Sequence, residues 1–307
     1  MINKITDIVP SPPKDLIFNL LPHLKPKLCV DIGAAAGFVS KRLMEEVHPS
    51  EGVVAFEPFP NNWPYFEKNT SGYPNVRLIK KAVSDRVGVS RFVVSSVVQG
   101  NEKNWEQLPG YSSTGHLEEA APSNLTGTRI EKKVRSLAKV FLNKYVRKKG
   151  AQSLLVKTTT LDREFPSERL DFIKMDVQGS EALVLKGAQG LLKEGRIGLM
   201  YLEWDGDQEV LDILHGNEFL LYDSHYLLGN PRPRHGIYEE MGFEIIGETF
   251  LSTGKKALEM VLRNGEPVWA VREIKRRNLG WIQTDLMAVH RSVEGVFRTA
   301  LKKLTSP

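Results

Sequence analysis

The stretch Leu28-Cys29-Val30-Asp31-Ile32-Gly33-Ala34-Ala35-Ala36-Gly37-Phe38-Val39-Ser40 constrains the fold more than any other, because it changes character twice within a few residues. A short apolar run ending in Asp31 reads as a buried strand, two glycines bracketing three alanines read as a tight turn, and Phe38 to Val47 takes up helical spacing. Glycine suits such a turn because a Cβ would hold a ligand away from the backbone. The helix that follows offers the unpaired N–H groups of its first turn to an anion.

A dinucleotide loop asks for G-x-G-x-x-G, whose glycines let the backbone approach a pyrophosphate. This turn reads G-A-A-A-G-F, and no Lys or Arg follows until Lys41, so a phosphate ligand matches it poorly. S-adenosylmethionine has no phosphate; its methionine end carries an ammonium, a carboxylate and a sulfonium. A carboxylate before the turn and a helix N-terminus after it match those charges, and Asp31 is that carboxylate. A second acid, Glu57, closes the apolar run Gly52-Val53-Val54-Ala55-Phe56 about twenty residues past Gly37, where Rossmann-like sheets place a group that accepts the ribose hydroxyls. A strand-end cap is the plainer role for Asp31 alone; the spacing to Glu57 favours the cofactor reading.

Along the chain the elements alternate. Residues 1–13 hold three prolines and no periodicity, as a tether does, whereas Lys14 to Leu24 puts Leu16, Ile17, Leu20, Leu21 and Leu24 on one helical face. After Glu57, Asn61 to Asn69 suits a short helix and Val76 to Val83 a third strand. This alternation predicts an α/β fold with a parallel sheet, helices on both faces and a ligand at the carboxyl ends of the strands. Leu154 to Leu161 reads as a strand, and Phe172 to Met175 as the fourth parallel strand, delivering Asp176 to the same edge as Asp31. Ser180 to Leu192 is then a helix with Ser180 as N-cap and Glu181 in the first turn. A fifth strand, Ile197 to Leu202, ends in Glu203-Trp204-Asp205, and Gln208 to His215 and Phe219 to Tyr222 continue as helix and strand.

Four blocks occur in order: Val30 to Gly37, Phe56-Glu57-Pro58-Phe59-Pro60, Lys81-Ala82-Val83-Ser84-Asp85, and Leu170-Asp171-Phe172-Ile173-Lys174-Met175-Asp176-Val177-Gln178-Gly179-Ser180-Glu181 with Leu185-Lys186-Gly187-Ala188. With them the chain resembles the FkbM family of S-adenosylmethionine-dependent methyltransferases over about residues 28–223. The resemblance implies a Rossmann-like class I methyltransferase fold with a mostly parallel seven-stranded sheet, helices on both faces, and insertions. It divides the chain into an N-terminal tether and helix (1–27), a core with an insertion near 100–150 (28–223), an insertion or cap (224–283), and a final strand at Asp285 to His290 with a tail (284–307). Gln178 departs from the family, which more often has Glu there, so no carboxylate acts at this position.

The resemblance also implies S-adenosylmethionine as cofactor, and the candidate contacts are Asp31, Gly33, Ala35, Gly37, Phe38, Glu57, Pro58, Ala82 and Val83. The reaction implied is O-methylation of a polyketide-type natural product or of a sugar hydroxyl in a glycan or glycolipid. An alcohol attacks well only if its proton is taken as it reacts. Asp176 is the first candidate for that proton or for orienting the acceptor. It fits two other roles, a contact to the methionine end of the cofactor or a metal shared with Glu203 or Asp205, although no His-rich or Cys-rich spacing points to a metal. The resemblance places a Ser-containing loop near the active site, here Tyr111-Ser112-Ser113-Thr114-Gly115-His116. His116 is the second candidate base, or a loop histidine without a role, and Ser113, Thr114, Glu181 and Glu203 are candidate acceptor contacts.

Charge adds little: 42 basic against 37 acidic residues leave +5, with pI 9.1. The excess gathers in residues 131–149, where Val134, Leu137, Ala138, Phe141, Leu142 and Tyr145 recur at helical spacing among lysines and arginines. Such a helix suits an anionic membrane surface, nucleic acid or an acidic glycan, but no aromatic platform for bases accompanies it, which favours a packed helix with a solvated lysine face. An RNA methyltransferase and a cofactor-binding scaffold without turnover are the alternative functions. The single cysteine, Cys29, lies in the first strand and excludes an internal disulfide framework. No apolar run approaches the ~18 residues of a membrane span, and the first residues lack a signal-peptide layout, so a cytoplasmic setting is expected.

Overall fold

Apolar runs bounded by glycine, proline or charged turns become strands buried on both faces, which is what a parallel sheet sandwiched between helices requires. The computed structural model describes residues 16–94, 115–119, 152–204, 207–224 and 284–305. Within them β1 (Leu28–Ile32), β2 (Gly52–Phe56), β3 (Val76–Ile79), β8 (Leu170–Met175), β9 (Ile197–Trp204), β10 (Phe219–Asp223) and β11 (Thr284–His290) form one seven-stranded sheet. Its order is β10-β11-β9-β8-β1-β2-β3, parallel throughout except for β11, which runs antiparallel to both neighbours. The chain builds outward from β1 through β2 to β3, then returns to β8 on the other side of β1. That reversal opens a crevice at the carboxyl ends of β1 and β8.

Two apolar layers seal the sheet. One face buries Cys29, Phe172, Leu199 and Met287 beneath α1 (Leu16–Leu24) and the C-terminal helix Glu294–Thr305. In α1 the face read from the sequence is the buried one, with Phe18 added and the Arg42 guanidinium 3.8 Å above its ring. The opposite face buries Val30, Ile32, Ile173 and Leu202 beneath the helices Glu181–Lys186, Gln189–Lys193 and Gln208–Gly216.

Three elements differ from the sequence reading. Val76 to Val83 is not one strand: β3 ends at Ile79, and β4 (Ala82–Val83) leaves the large sheet. The Lys81 amide donates to the Ile79 carbonyl at 2.8 Å in a tight turn that ends β3, and the two lysines face different partners, Lys80 meeting Glu67 at 2.8 Å and Lys81 meeting Glu164 at 2.8 Å. Second, β7 (Gln152–Thr159) is an inner strand of a separate four-stranded sheet, ordered β4-β7-β5-β6, with β5 at Gly88–Val94 and β6 at Gly115–Leu117. Third, the helix read as Ser180 to Leu192 breaks into two at Gly187, where a Cβ would overlap the Ser84 carbonyl oxygen. The Asp162 carboxylate restarts it, accepting from the amides of Gly190 at 2.8 Å and Leu191 at 2.9 Å. All but Ser224 of the insertion expected at 224–283, the basic stretch 131–149 and the residues Ser113, Thr114 and Asp205 lie outside the described residues.

The cap formed by Asp162 is made across the fold, so Asp162→Ala leaves two helix amides without a protein acceptor. The expected loss is about 1 kcal/mol, read as a lower urea midpoint at unchanged m.

Candidate active site

The carboxyl ends of β1, β2 and β8 meet the second sheet around an open cleft of about 500 Å³, mouth included. The turn after β1 takes its shape from left-handed residues: Gly33 at φ +78, Ala35 at +48 and Gly37 at +81. Gly33 is required twice over, because a Cβ there would also overlap the Asp176 carbonyl oxygen. The tip of β8 is thereby pressed against the turn, and the Asp176 amide donates to the Ile32 carbonyl at 3.0 Å.

Glu57 ties this turn to the next one. Its Oε2 accepts from the Ala35 amide at 2.8 Å and its Oε1 from the Phe59 amide at 2.7 Å, while the side chain stands on the cleft wall. Burial pushes the Glu57 carboxyl up to about 7, against the opposing pull of those two amides.

Asp31 stands behind the wall. It is 0% exposed, accepts from the Ser40 hydroxyl at 2.7 Å through Oδ2, and has the Lys174 ammonium 3.7 Å from Oδ1. Burial raises its pKa, and Lys174 and Ser40 act in the opposite direction. The cause of this inward orientation is register: Asp31 and Lys174 are Cα partners on adjacent strands, so their side chains share one face. Asp31, expected to turn its charge to a ligand, gives it to Lys174.

Lys174 belongs to a block the sequence marked, yet nothing in the block assigns it a task. Its ammonium also lies 3.5 Å from Asp176 Oδ2 and 3.3 Å from the Gly33 carbonyl oxygen. Burial lowers its pKa, and the carboxylates of Asp176 and Asp31 more than reverse this, leaving it above the ordinary lysine value. The available signal was a lysine inside an apolar strand, since a charge in such a place needs an internal partner.

At Asp176 the chain turns sharply through Gln178 at φ +54 and Gly179 at φ +94. The Gln178 amide nitrogen donates to Asp176 Oδ1 at 2.8 Å and to Glu203 Oε2 at 3.1 Å, holding two carboxylates side by side. Of the residues singled out in the sequence, Gly33, Ala35, Glu57, Pro58, Ala82, Val83, His116 and Asp176 line the cleft. Gly37 and Phe38 are absent from that lining; at Gly37 a Cβ would run into the Phe66 ring, which makes the glycine a packing requirement. Glu181 and Glu203 are likewise off the wall, Glu181 buried where its Oε1 meets the Val177 amide at 3.4 Å. Ile32, Phe56, Lys81, Phe92, Gly115, Leu117, Val177 and Ser180 complete the wall without having been named as site residues. Among the described residues no three His, Cys, Asp or Glu side chains are grouped to hold a metal. No helix among them is long and apolar enough to cross a membrane.

The sequence matches the methyltransferase FkbM domain over residues 31–221. The chain belongs to the FkbM methyltransferase family. Its seven-stranded, mostly parallel sheet is the Rossmann-like class I methyltransferase fold expected of that family. No curated protein matches the sequence significantly. Among solved structures, the methyltransferase FkbM of Methylobacillus flagellatus is similar at 14% identity and TM-score 0.37, over 64% of this chain and 39% of that one. The precorrin-6y C5,15-methyltransferase of Geobacter metallireducens aligns at 11% identity and TM-score 0.32, over 67% and 71%. The O-methyltransferase segment of StiE aligns at 8% identity and TM-score 0.38, over 95% and 78%. The chain thus spans well under half the length of the Methylobacillus FkbM protein.

Two outcomes are expected. Lys174→Met strands the buried Asp31 carboxylate and costs about 3–5 kcal/mol in a denaturant titration, and adding Asp31→Asn restores part of that loss. For Glu57 the folded carboxyl holds its proton up to about 7, whereas the unfolded one releases it near 4.5. Between those values the unfolded chain binds fewer protons, so this group's contribution to stability falls as pH rises, by about 3 kcal/mol. Urea midpoints from pH 4 to 8 show that slope in the wild type and lack it in Glu57→Gln.

Proposed function

We propose that this chain transfers the methyl group of S-adenosylmethionine to a hydroxyl oxygen of a small-molecule or glycan acceptor, a sugar or a polyketide-type product. The observation that carries the reading is that Glu57, buried and bonded to the amide of the glycine turn, shares one cleft wall with Asp176 and His116. The residues fit the cofactor. The Glu57 carboxylate accepts the Ala35 and Phe59 amides and the Asn62 side chain, which leaves it one further acceptor position for a ribose hydroxyl. The left-handed turn without a Cβ at Gly33 exposes backbone to the same cleft, and Ile32, Phe56, Val83, Phe92 and Val177 supply apolar wall for a base.

S-adenosylmethionine supplies the electrophilic methyl group when bound, which leaves alignment and proton removal to the protein. Asp176 accepts the hydrogen bond of the acceptor hydroxyl and takes its proton as the new O–C bond forms. Gln178 and Lys174 hold the two oxygens of Asp176 in place for that contact. His116, which the second sheet brings to the wall, is the other group able to take the proton. RNA is the alternative acceptor to the one proposed, and the cytoplasm is the setting we assign, in keeping with the single buried thiol of Cys29.

Calorimetry with S-adenosylhomocysteine tests the cofactor, and labelled methyl transfer into glycan, small-molecule and RNA pools tests the acceptor. Glu57→Gln is expected to weaken cofactor binding by about 1–3 kcal/mol, and Asp176→Asn to lower turnover while leaving binding nearly intact. Label appearing in RNA alone overturns the acceptor class, and failure to bind S-adenosylhomocysteine overturns the reading as a whole.

A further inference from the structure

Large apolar side chains left in water gather in one place among the described residues. Of the four that are exposed, Val89 lies on β5, Leu155 on β7 and Val87 just ahead of β5, and only Val296 lies elsewhere. Strand alternation sets this pattern: Ser90, Phe92 and Val94 are buried toward the body of the protein, which turns Val89, Arg91 and Val93 outward. Leu155, at 72% exposure, stands opposite Arg91 and diagonally between Val89 and Val93, so the three apolar residues form a strip across the outer face of the second sheet. The charge beside the strip is already answered, Arg91 by Glu118 at 3.0 Å.

The strand order says what covers this strip. β6 and β7 both run antiparallel to β5 and flank it, so they are parallel to each other, and residues 120–151 join them. A connection between parallel strands crosses a face of the sheet, takes about a dozen residues or more and is usually helical. The inner face is filled, because Phe92, Val94, Leu117 and Val156 pack there against Phe59, Ala82 and Leu183. That leaves the outer face. The connecting stretch carries its own apolar stripe, Val134, Leu137, Ala138, Phe141, Leu142 and Tyr145 at helical spacing. A helix from Val134 to Tyr145 is about 18 Å long, and a strand of 8 residues such as β7 offers it a bed of about 26 Å.

We propose that the outer face of the second sheet is the docking site of this chain's own residues 131–149, whose apolar stripe covers Val89, Val93 and Leu155 and whose basic side stays in water. The stripe is then used up inside the molecule, and neither a lipid surface nor a second copy of the chain takes it.

The test is timed trypsin digestion of the full chain, read by mass spectrometry at Lys139, Lys144 and Arg147, with a synthetic peptide of residues 128–151 as the unprotected reference. Leu155→Gln alters the strip and Phe141→Gln the stripe, and Gln keeps helix propensity. The wild type is cut at those sites at least tenfold more slowly than the peptide. Each variant is cut there about tenfold faster than wild type, because losing one buried apolar contact raises the open fraction by about that factor. The double variant falls short of the roughly hundredfold that independent sites give. Near-ultraviolet circular dichroism reports that the fold is kept, and Leu155→Ala replaces Leu155→Gln if it is not. Cleavage of the wild type as fast as the peptide overturns the proposal, as does cleavage unchanged by Leu155→Gln. Protection that arises only with vesicles of phosphatidylcholine and phosphatidylserine assigns the stripe to a membrane, and a dimer in sedimentation equilibrium that Leu155→Gln dissociates assigns the strip to a second copy; either result overturns it too.

Discussion

A single ammonium group holds the centre of this fold together. Lys174 lies within ion-pair distance of Asp31 and of Asp176 and reaches the carbonyl of Gly33, so it touches the first strand, the glycine turn and the tip of β8 at once. A charge in such a place persists only if opposite charges meet it there, and once they do, the geometry of all three segments is coupled. The bare α-carbon of Gly33 is the steric counterpart, because the carbonyl of Asp176 occupies the space where a side chain would begin. The reversal of strand order opens the crevice, and these two contacts fix how the turn after β1 sits against the tip of β8 within it.

From that point the cleft is assembled by hydrogen bonds that link neighbouring turns. Glu57 spends one acceptor position on each of two turns, making the second strand's carboxylate a clasp as well as part of the wall. Gln178 plays a comparable part between Asp176 and Glu203. An acid at that position would set three carboxylates beside one another, whereas an amide donates to both neighbours; in this chain the departure from the commoner family residue makes electrostatic sense. The second sheet then closes the apolar side, with the ring of Phe92 filling the space over Gly115, where a Cβ would overlap it.

Much of this could be read in advance from local pattern. The run into Asp31 and the run into Glu57 became β1 and β2, neighbours in register from Leu28 opposite Gly52 to Ile32 opposite Phe56. The strand expected near Asp285 to His290 lies between β9 and β10. The apolar stripe of α1 is buried as its spacing required. The errors fell where two segments compete for one stretch of chain. Lys80 and Lys81 look like part of a strand until a tight turn at Lys81 hands the chain to β7 in the second sheet, and the helix after Ser180 looks continuous until the backbone of Ser84 intrudes at Gly187.

What the sequence determined alone was the order of elements, which faces are apolar, and the need for left-handed residues around Gly33 and Gly37, because periodicity and backbone sterics act over a few residues. Only the tertiary structure decided which acid meets which cation. Asp31 and Lys174 are far apart in the chain, and their pairing is set by the register of adjacent strands, which no local pattern encodes. For the same reason Asp31 turned inward and Glu57 remained at the cleft, although both read alike as acids at the ends of apolar runs.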